Sequence, residues 1–278
     1  MSEAAVDHDL PDFENPPLVE TVLSAQFDRL AAMRSVHFGL FWQRVRDEFP
    51  NAEEHAPLPP VFEQPGDVAP QTVQLRFDPQ EILSLPRLWL LNKNGSEIIQ
   101  IQNDRFIKNW RKGPENADYP HYTPVIKPAF ERHFREFSAF AAEQGLGPIN
   151  VTQCEVTYVS HIVSGEGWVG RDEIEKIFTF WKQPAGDDAY RGKAEDFGCR
   201  ARFPIFGPEN EWVGRLHLEV QPALRIADNK PMYAMNLTAR GMYGTFIEFF
   251  DIGRRSIVKS FEHLTTEQMH SIWRKKKR

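Results

Sequence analysis

From Gly214 to Leu224 apolar and polar side chains alternate. Leu216, Leu218 and Val220 share one phase, and Arg215, His217, Glu219 and Gln221 share the other. Successive side chains point to opposite faces of a strand, so this run predicts a strand with one dry and one polar face. The pattern recurs at Leu18–Phe27, Ile98–Asn103, Val151–His161, Cys199–Phe203 and Met232–Arg240. Joined edge to edge, these strands predict a broad sheet. Its polar face carries Glu20, Gln26, Gln100, Gln102, Gln153, Glu155, His161, Arg200, Arg202, Arg215, His217, Glu219, Asn236 and Arg240.

Between the strands the apolar period changes to that of a helix. Ser35–Phe49, with Ser35 as N-cap, carries Phe38, Phe41, Trp42 and Val45 on one stripe. Tyr122–Gln144 carries Phe130, Phe134, Phe137 and Phe140 and is closed by Gly145. Gly170–Trp181 groups Ile174, Ile177, Phe178 and Trp181, and Thr245–Phe261 and Thr265–Lys275 read as closing helices. Lys93-Asn94-Gly95-Ser96 predicts a hairpin turn. Asn51–Gln71, rich in Pro and Glu, reads as an extended surface connection, and Thr72–Phe77 as a strand. After a loose arm at 1–17, residues 18–148 and 149–278 each read strand, helix, three strands, helix. The expectation is therefore an α+β protein of two tandem units sharing one large antiparallel sheet, with helices on one face. In topology this resembles a TATA-binding-protein-like saddle; a helix-grip sheet around one long helix is the competing shape.

Composition narrows the chemistry. With 278 residues, 41% of them hydrophobic, the chain has material for a substantial core. A formal net charge of −6 argues against a general nucleic-acid coat, which needs excess Lys and Arg. Cys154 and Cys199 fall on apolar strand phases and read as buried free thiols; two cysteines make no zinc signature. The acidic opening lacks the basic and apolar regions of a signal peptide, and no apolar run reaches a membrane span. The expected setting is cytoplasmic, without membrane, metal or cofactor.

The candidate chemistry lies in three places. The polar face offers Arg200, Arg202, Arg215 and Arg240, whose planar forks suit carboxylate or phosphate, with Glu20 and Glu155 to orient them and His217 and Glu219 beside them. A mutually neutralising Arg–Glu ladder would need no ligand. The run Gln102–Lys112, read as a strand end and loop, places Arg105, Trp110 and Arg111 ahead of Tyr122, a setting for stacking beside a cation. The basic ending Trp273–Arg278 reads as a solvated tail, His263 and His270 as a surface helix face, and His8 and His55 as parts of mobile segments. Glu20 and Glu155 hold equivalent places in the two units, where a pseudo-twofold axis would let them meet. No Gly-rich phosphate loop, Walker lysine or nucleophile elbow is present.

The leading expectation is a non-catalytic recognition protein binding a partner protein, a nucleic acid or an anionic small molecule. The alternative is an enzyme on a small polar substrate, with Glu155 or His217 as general base in a sheet-lined pocket. A third reading mates the polar face with a second copy, giving a homodimer.

Asn15-Pro16-Pro17-Leu18-Val19-Glu20 with Phe27 resembles the start of a sporadically distributed bacterial family of this length, which has a numbered designation and no assigned function. The resemblance extends to Asp104-Arg105-Phe106 with Asn109-Trp110-Arg111, to Tyr119-Pro120-His121-Tyr122 and to the ending Phe261 through Trp273. It implies a bacterial accessory protein of patchy, defence-linked distribution and supplies no catalytic residues.

Overall fold

The computed structural model describes residues 9–66, 85–113, 118–182 and 194–276. The strand expected at Thr72–Phe77 lies outside them. The described strands are β1 (Leu18–Phe27), β2 (Asn51–His55), β3 (Arg87–Leu91), β4 (Glu97–Gln102), β5 (Arg105–Arg111), β6 (Val151–Val163), β7 (Cys199–Phe206), β8 (Trp212–Leu224) and β9 (Pro231–Gly241). They form one antiparallel sheet in the order β2-β3-β4-β5-β1-β6-β9-β8-β7. The first strand of each series, β1 or β6, stands at the centre, and the later strands fold back toward it from the edges.

The described α-helices are α1 (Ser35–Val45), α2 (Lys127–Glu143), α3 (Phe246–Leu264) and α4 (Glu267–Ile272). The core lies between the helices and the apolar sheet face. Phe27 meets Phe137 of α2, and Phe106 packs edge-on against Phe130 at 5.6 Å. Phe41 of α1 is fully buried and edge-on to Phe137 at 5.3 Å. Both long helices, rather than one, lie on this face, and Phe130 joins them by meeting Phe250 at 4.9 Å. Gly253 lets α3 press onto β6 and β9: a Cβ there would sit 3.1 Å from Ala239 and 3.3 Å from Val156.

Several local expectations need correction. Gly170–Trp181 is no α-helix; only Ile174–Lys176 makes a 3-10 turn. Beyond it the backbone finds partners elsewhere. Thr266 donates to the Ile177 carbonyl and Thr179 to that of Leu264. Ile174, Ile177 and Phe178 are buried, so the apolar grouping survives without the helix. Ser35 is the first helical residue rather than the cap; Arg34 precedes it, and its N–H donates to the His37 ring. The last helix is shorter than Thr265–Lys275, running Glu267–Ile272 with Thr266 as its cap. Tyr122–Ile126 is a π-helical turn leading into α2. Gln102–Lys112 is mostly strand, since β5 follows β4 after a two-residue turn.

The ends of the chain also differ from expectation. Residues 9–17 are docked: Phe13 bridges Lys275, and Asp9 pairs with Arg255 and Lys259. The basic ending is held in turn. Trp273 is buried, Lys275 pairs with Glu262 at 2.7 Å and Lys276 with Asp12 at 2.6 Å. His270 is buried and hydrogen-bonded to Thr265, and His55 sits on β2 stacked on Trp89 at 4.0 Å. Cys154 is a buried free thiol, whereas free Cys199 is only half-buried. Strands β9 and β8 separate β6 from β7, so the two thiols are not neighbours.

Candidate ligand-binding face

The register assembles the polar face expected from alternation. Across the centre, Gln102 pairs with Arg105, Arg105 with Gln26 and Gln26 with Gln153. One step along, Ser24 pairs with Glu155, Glu155 with Arg240 and Arg240 with Arg215. His217, Glu219, Arg202 and Arg200 continue this face onto β8 and β7.

The surface connection expected at 51–71 does something else. After β2, residues 56–66 leave the sheet edge and cross the polar face as a strap. Pro57, Pro59, Pro60 and Pro65 hold it extended and cannot donate backbone hydrogen bonds, so it does not join the ladder. Glutamine side chains take the place of a neighbouring strand. The Gln102 amide donates to the Leu58 carbonyl at 2.9 Å, and its oxygen accepts from the Leu58 N–H at 3.0 Å. Gln26 makes the same two-way pairing with Val61, at 3.2 and 3.0 Å. The Gln153 oxygen accepts from the Glu63 N–H at 2.9 Å. Arg105, buried below, donates to Gln26 and to the Pro59 carbonyl.

At its far end the strap delivers a carboxylate. The Glu63 side chain is only 8% exposed and is gripped from three sides. Arg215 donates to it at 2.7 Å, His217 Nε2 lies 2.5 Å away and Arg240 donates at 3.3 Å. Since a carboxylate only accepts, His217 must carry a proton on Nε2. Burial alone would raise the Glu63 pKa, but His217, Arg215 and Arg240 outweigh it and hold the carboxyl at about 2. Arg215 also donates to the Gln64 and Gly66 carbonyls, and Arg240 to Glu155 at 2.6 Å.

The expected site residues therefore separate into groups. Arg105, Glu155, Arg215, His217 and Arg240 surround the strap. Arg200 pairs with Glu219 at 2.6 Å toward the exposed β7 edge, and Arg202 is exposed beside them. Glu20 accepts from Asn109 and lies opposite Val159, whereas Glu155 lies opposite Ser24. Four residues of strand, roughly 13 Å, part the two carboxylates, so they do not meet at an axis.

The Trp110 constellation is dispersed, because alternation along β5 sends neighbouring side chains to opposite faces. Arg105 and Arg111 belong to the polar side, where Arg111 donates to the Gly95 carbonyl and closes the hairpin turn. Lys108 and Trp110 enter the helix-side core, Lys108 pairing with Glu97 at 2.5 Å and Trp110 meeting Tyr119 edge-on. Tyr122 is buried there too, and its hydroxyl donates to Asp251 at 2.9 Å.

Beside Glu155 the strap leaves little open space, and His217 is engaged by Glu63. The cavity bounded by Gln26, Arg105, Gln153, Glu155 and Arg240 measures about 10 Å³, no more than one water occupies. Among the described residues no group of three His, Cys, Asp or Glu is arranged for a metal ion, and no helix is long and apolar enough to cross a membrane. Sequence reasoning missed Glu63, Val61 and Leu58. The available signal was the proline run itself, an extended segment with inward Val61 and Glu63 two residues apart. Comparison with family models, with curated proteins and with solved structures gives no match to this chain.

Proposed function

We propose that this chain is a recognition protein whose polar sheet face holds an extended acidic peptide of a partner protein. In this reading the strap is a tethered stand-in for the partner. The observation that carries it is the mode of grip. Gln102, Gln26 and Gln153 engage backbone atoms, which any extended peptide presents, while Arg215, His217 and Arg240 select one carboxylate. Backbone contact supplies affinity and a side-chain pocket supplies specificity, as in other modes of extended-peptide recognition. Phosphate is a poorer fit, because these arginines already grip carboxylates in a half-closed setting and are bridged to strap carbonyls.

A trans-binding assay tests this reading. A labelled peptide of residues 56–66 is titrated onto the full chain and onto its Glu63→Ala variant. The variant is expected to bind it saturably and the wild type far more weakly. A peptide carrying Gln in place of Glu63 is expected to lose about tenfold in affinity, or about 1.4 kcal/mol. If the variant stays folded and takes up neither peptide, the strap is a permanent part of the fold and the proposal fails.

A further inference from the structure

On the opposite side of the sheet from the Glu63 socket lies a half-open cleft of about 210 Å³ between the docked arm, β6, β9 and α3. Its walls are apolar and ring-rich: Phe13 from the arm, Tyr158 from β6, Leu237 from β9, and Ile257 and Phe261 from α3. An apolar cavity of about 150 Å³ suffices for a benzene ring, so this one has space for a ring and a short substituent.

The polar lining groups are Asp12, whose carboxylate is engaged by Lys276, Ser160, Tyr119, Tyr158, His121 and Arg254. Arg254 and His121 line the same space, with the guanidinium carbon 4.8 Å from the Tyr122 ring centre. The Tyr119 and Tyr158 hydroxyls lie 3.0 Å apart beside it. A mostly apolar pocket with a few convergent polar groups is the usual form of a small-molecule site.

The backbone here is unusual as well. His121 has φ +64° and ψ 146°, a conformation suited to glycine. It is held by the π-turn that follows, in which the Ile126 N–H donates to the His121 carbonyl at 3.2 Å. Such strain, and such single π-turns, gather at ligand-binding positions.

We propose that this cavity binds a small aromatic carboxylate. The ring lies among Phe13, Tyr158 and Phe261, and the carboxylate faces Arg254 and His121. The arm along its rim is anchored by buried Leu10 and Phe13, by the Phe13–Lys275 bridge, and by ion pairs of Asp9 with Arg255 and Lys259 and of Asp12 with Lys276. The cleft is half open to solvent, so a ligand reaches it without displacing the arm.

The test is calorimetric titration of the full chain with phenylacetate and with phenethyl alcohol, its uncharged counterpart. Phenylacetate is expected to bind saturably, about tenfold more tightly than the alcohol. Arg254→Gln should remove that preference. Val258→Phe, which fills the void from α3, should abolish binding of both probes while circular dichroism stays unchanged. Absence of saturable phenylacetate binding to the folded wild type overturns the proposal, as does undiminished binding to Val258→Phe. If Val258→Phe does not fold, Arg254→Gln decides alone, and a preference that persists there overturns it.

Discussion

Replacing Glu63 by Gln keeps the shape of the side chain and removes its charge, leaving Arg215 and Arg240 facing an amide. The depressed pKa gives the scale of the loss. The distance from an ordinary 4.5 to about 2 corresponds to about 3 kcal/mol of preference for the charged form in the folded chain. Screening at the open rim reduces this to about 2 kcal/mol. Because the folded value lies below the unfolded one, the contribution is complete above about pH 4.5 and is lost as pH falls toward 2. Urea unfolding of the wild type and Glu63→Gln at neutral pH and at several acidic values measures this directly. We expect a loss of about 2 kcal/mol at neutral pH and a gap between the two proteins that closes across the acidic window. A loss below about 0.5 kcal/mol at neutral pH, or a gap indifferent to acid, would mean that Glu63 does not sit in the arginine socket. The same figure bears on recognition. A tethered occupant lowers apparent affinity by the fraction of time it leaves the site open, so weakening it by about 2 kcal/mol should raise the affinity for a peptide in trans about 30-fold.

Two further outcomes probe the opposite face of the sheet. Trp110→Ala should cost about 3–5 kcal/mol in chemical denaturation, as for a large buried aromatic side chain. Introduced into Glu63→Ala, it should leave peptide affinity unchanged, and lost uptake with little loss of stability would return Trp110 to the binding site. His133 is fully buried. Burial above all, then repulsion from Lys108 and Arg132, holds its pKa at about 4. The unfolded chain takes up this proton near pH 6.5 and the folded one does not, so stability should fall by about 3 kcal/mol as pH drops from 6.5 to 4. His133→Leu should flatten that part of the pH–stability profile, and an unaltered slope in the variant would assign it to another group.

Much of the fold was legible because alternation is a local property. Leu216, Leu218 and Val220 face the core and Arg215, His217 and Glu219 face away because the strand geometry requires it, whatever lies on either side. The Phe stripe of α2 and the Asn94-Gly95 turn were legible for the same reason. Residues 170–181 show where this stops: an apolar grouping suited to a helix was satisfied by a short turn, since residues 264–266 offered the backbone other partners.

The sequence by itself thus determined most of the strands, though not β2 or β5, and which side chains share their polar face. It also supplied the strap's prolines, which exclude those positions from donating to a ladder. Only the tertiary structure decided what that face meets. Glu63 lies 152 residues before Arg215 and 177 before Arg240, and no local pattern links them. Their meeting depends on the strand order, which brings β6, β9 and β8 together in the path of a chain leaving β2. The polar alternation marked a surface of hydrogen-bonding groups; long-range packing turned it into a socket already holding an extended, acidic segment.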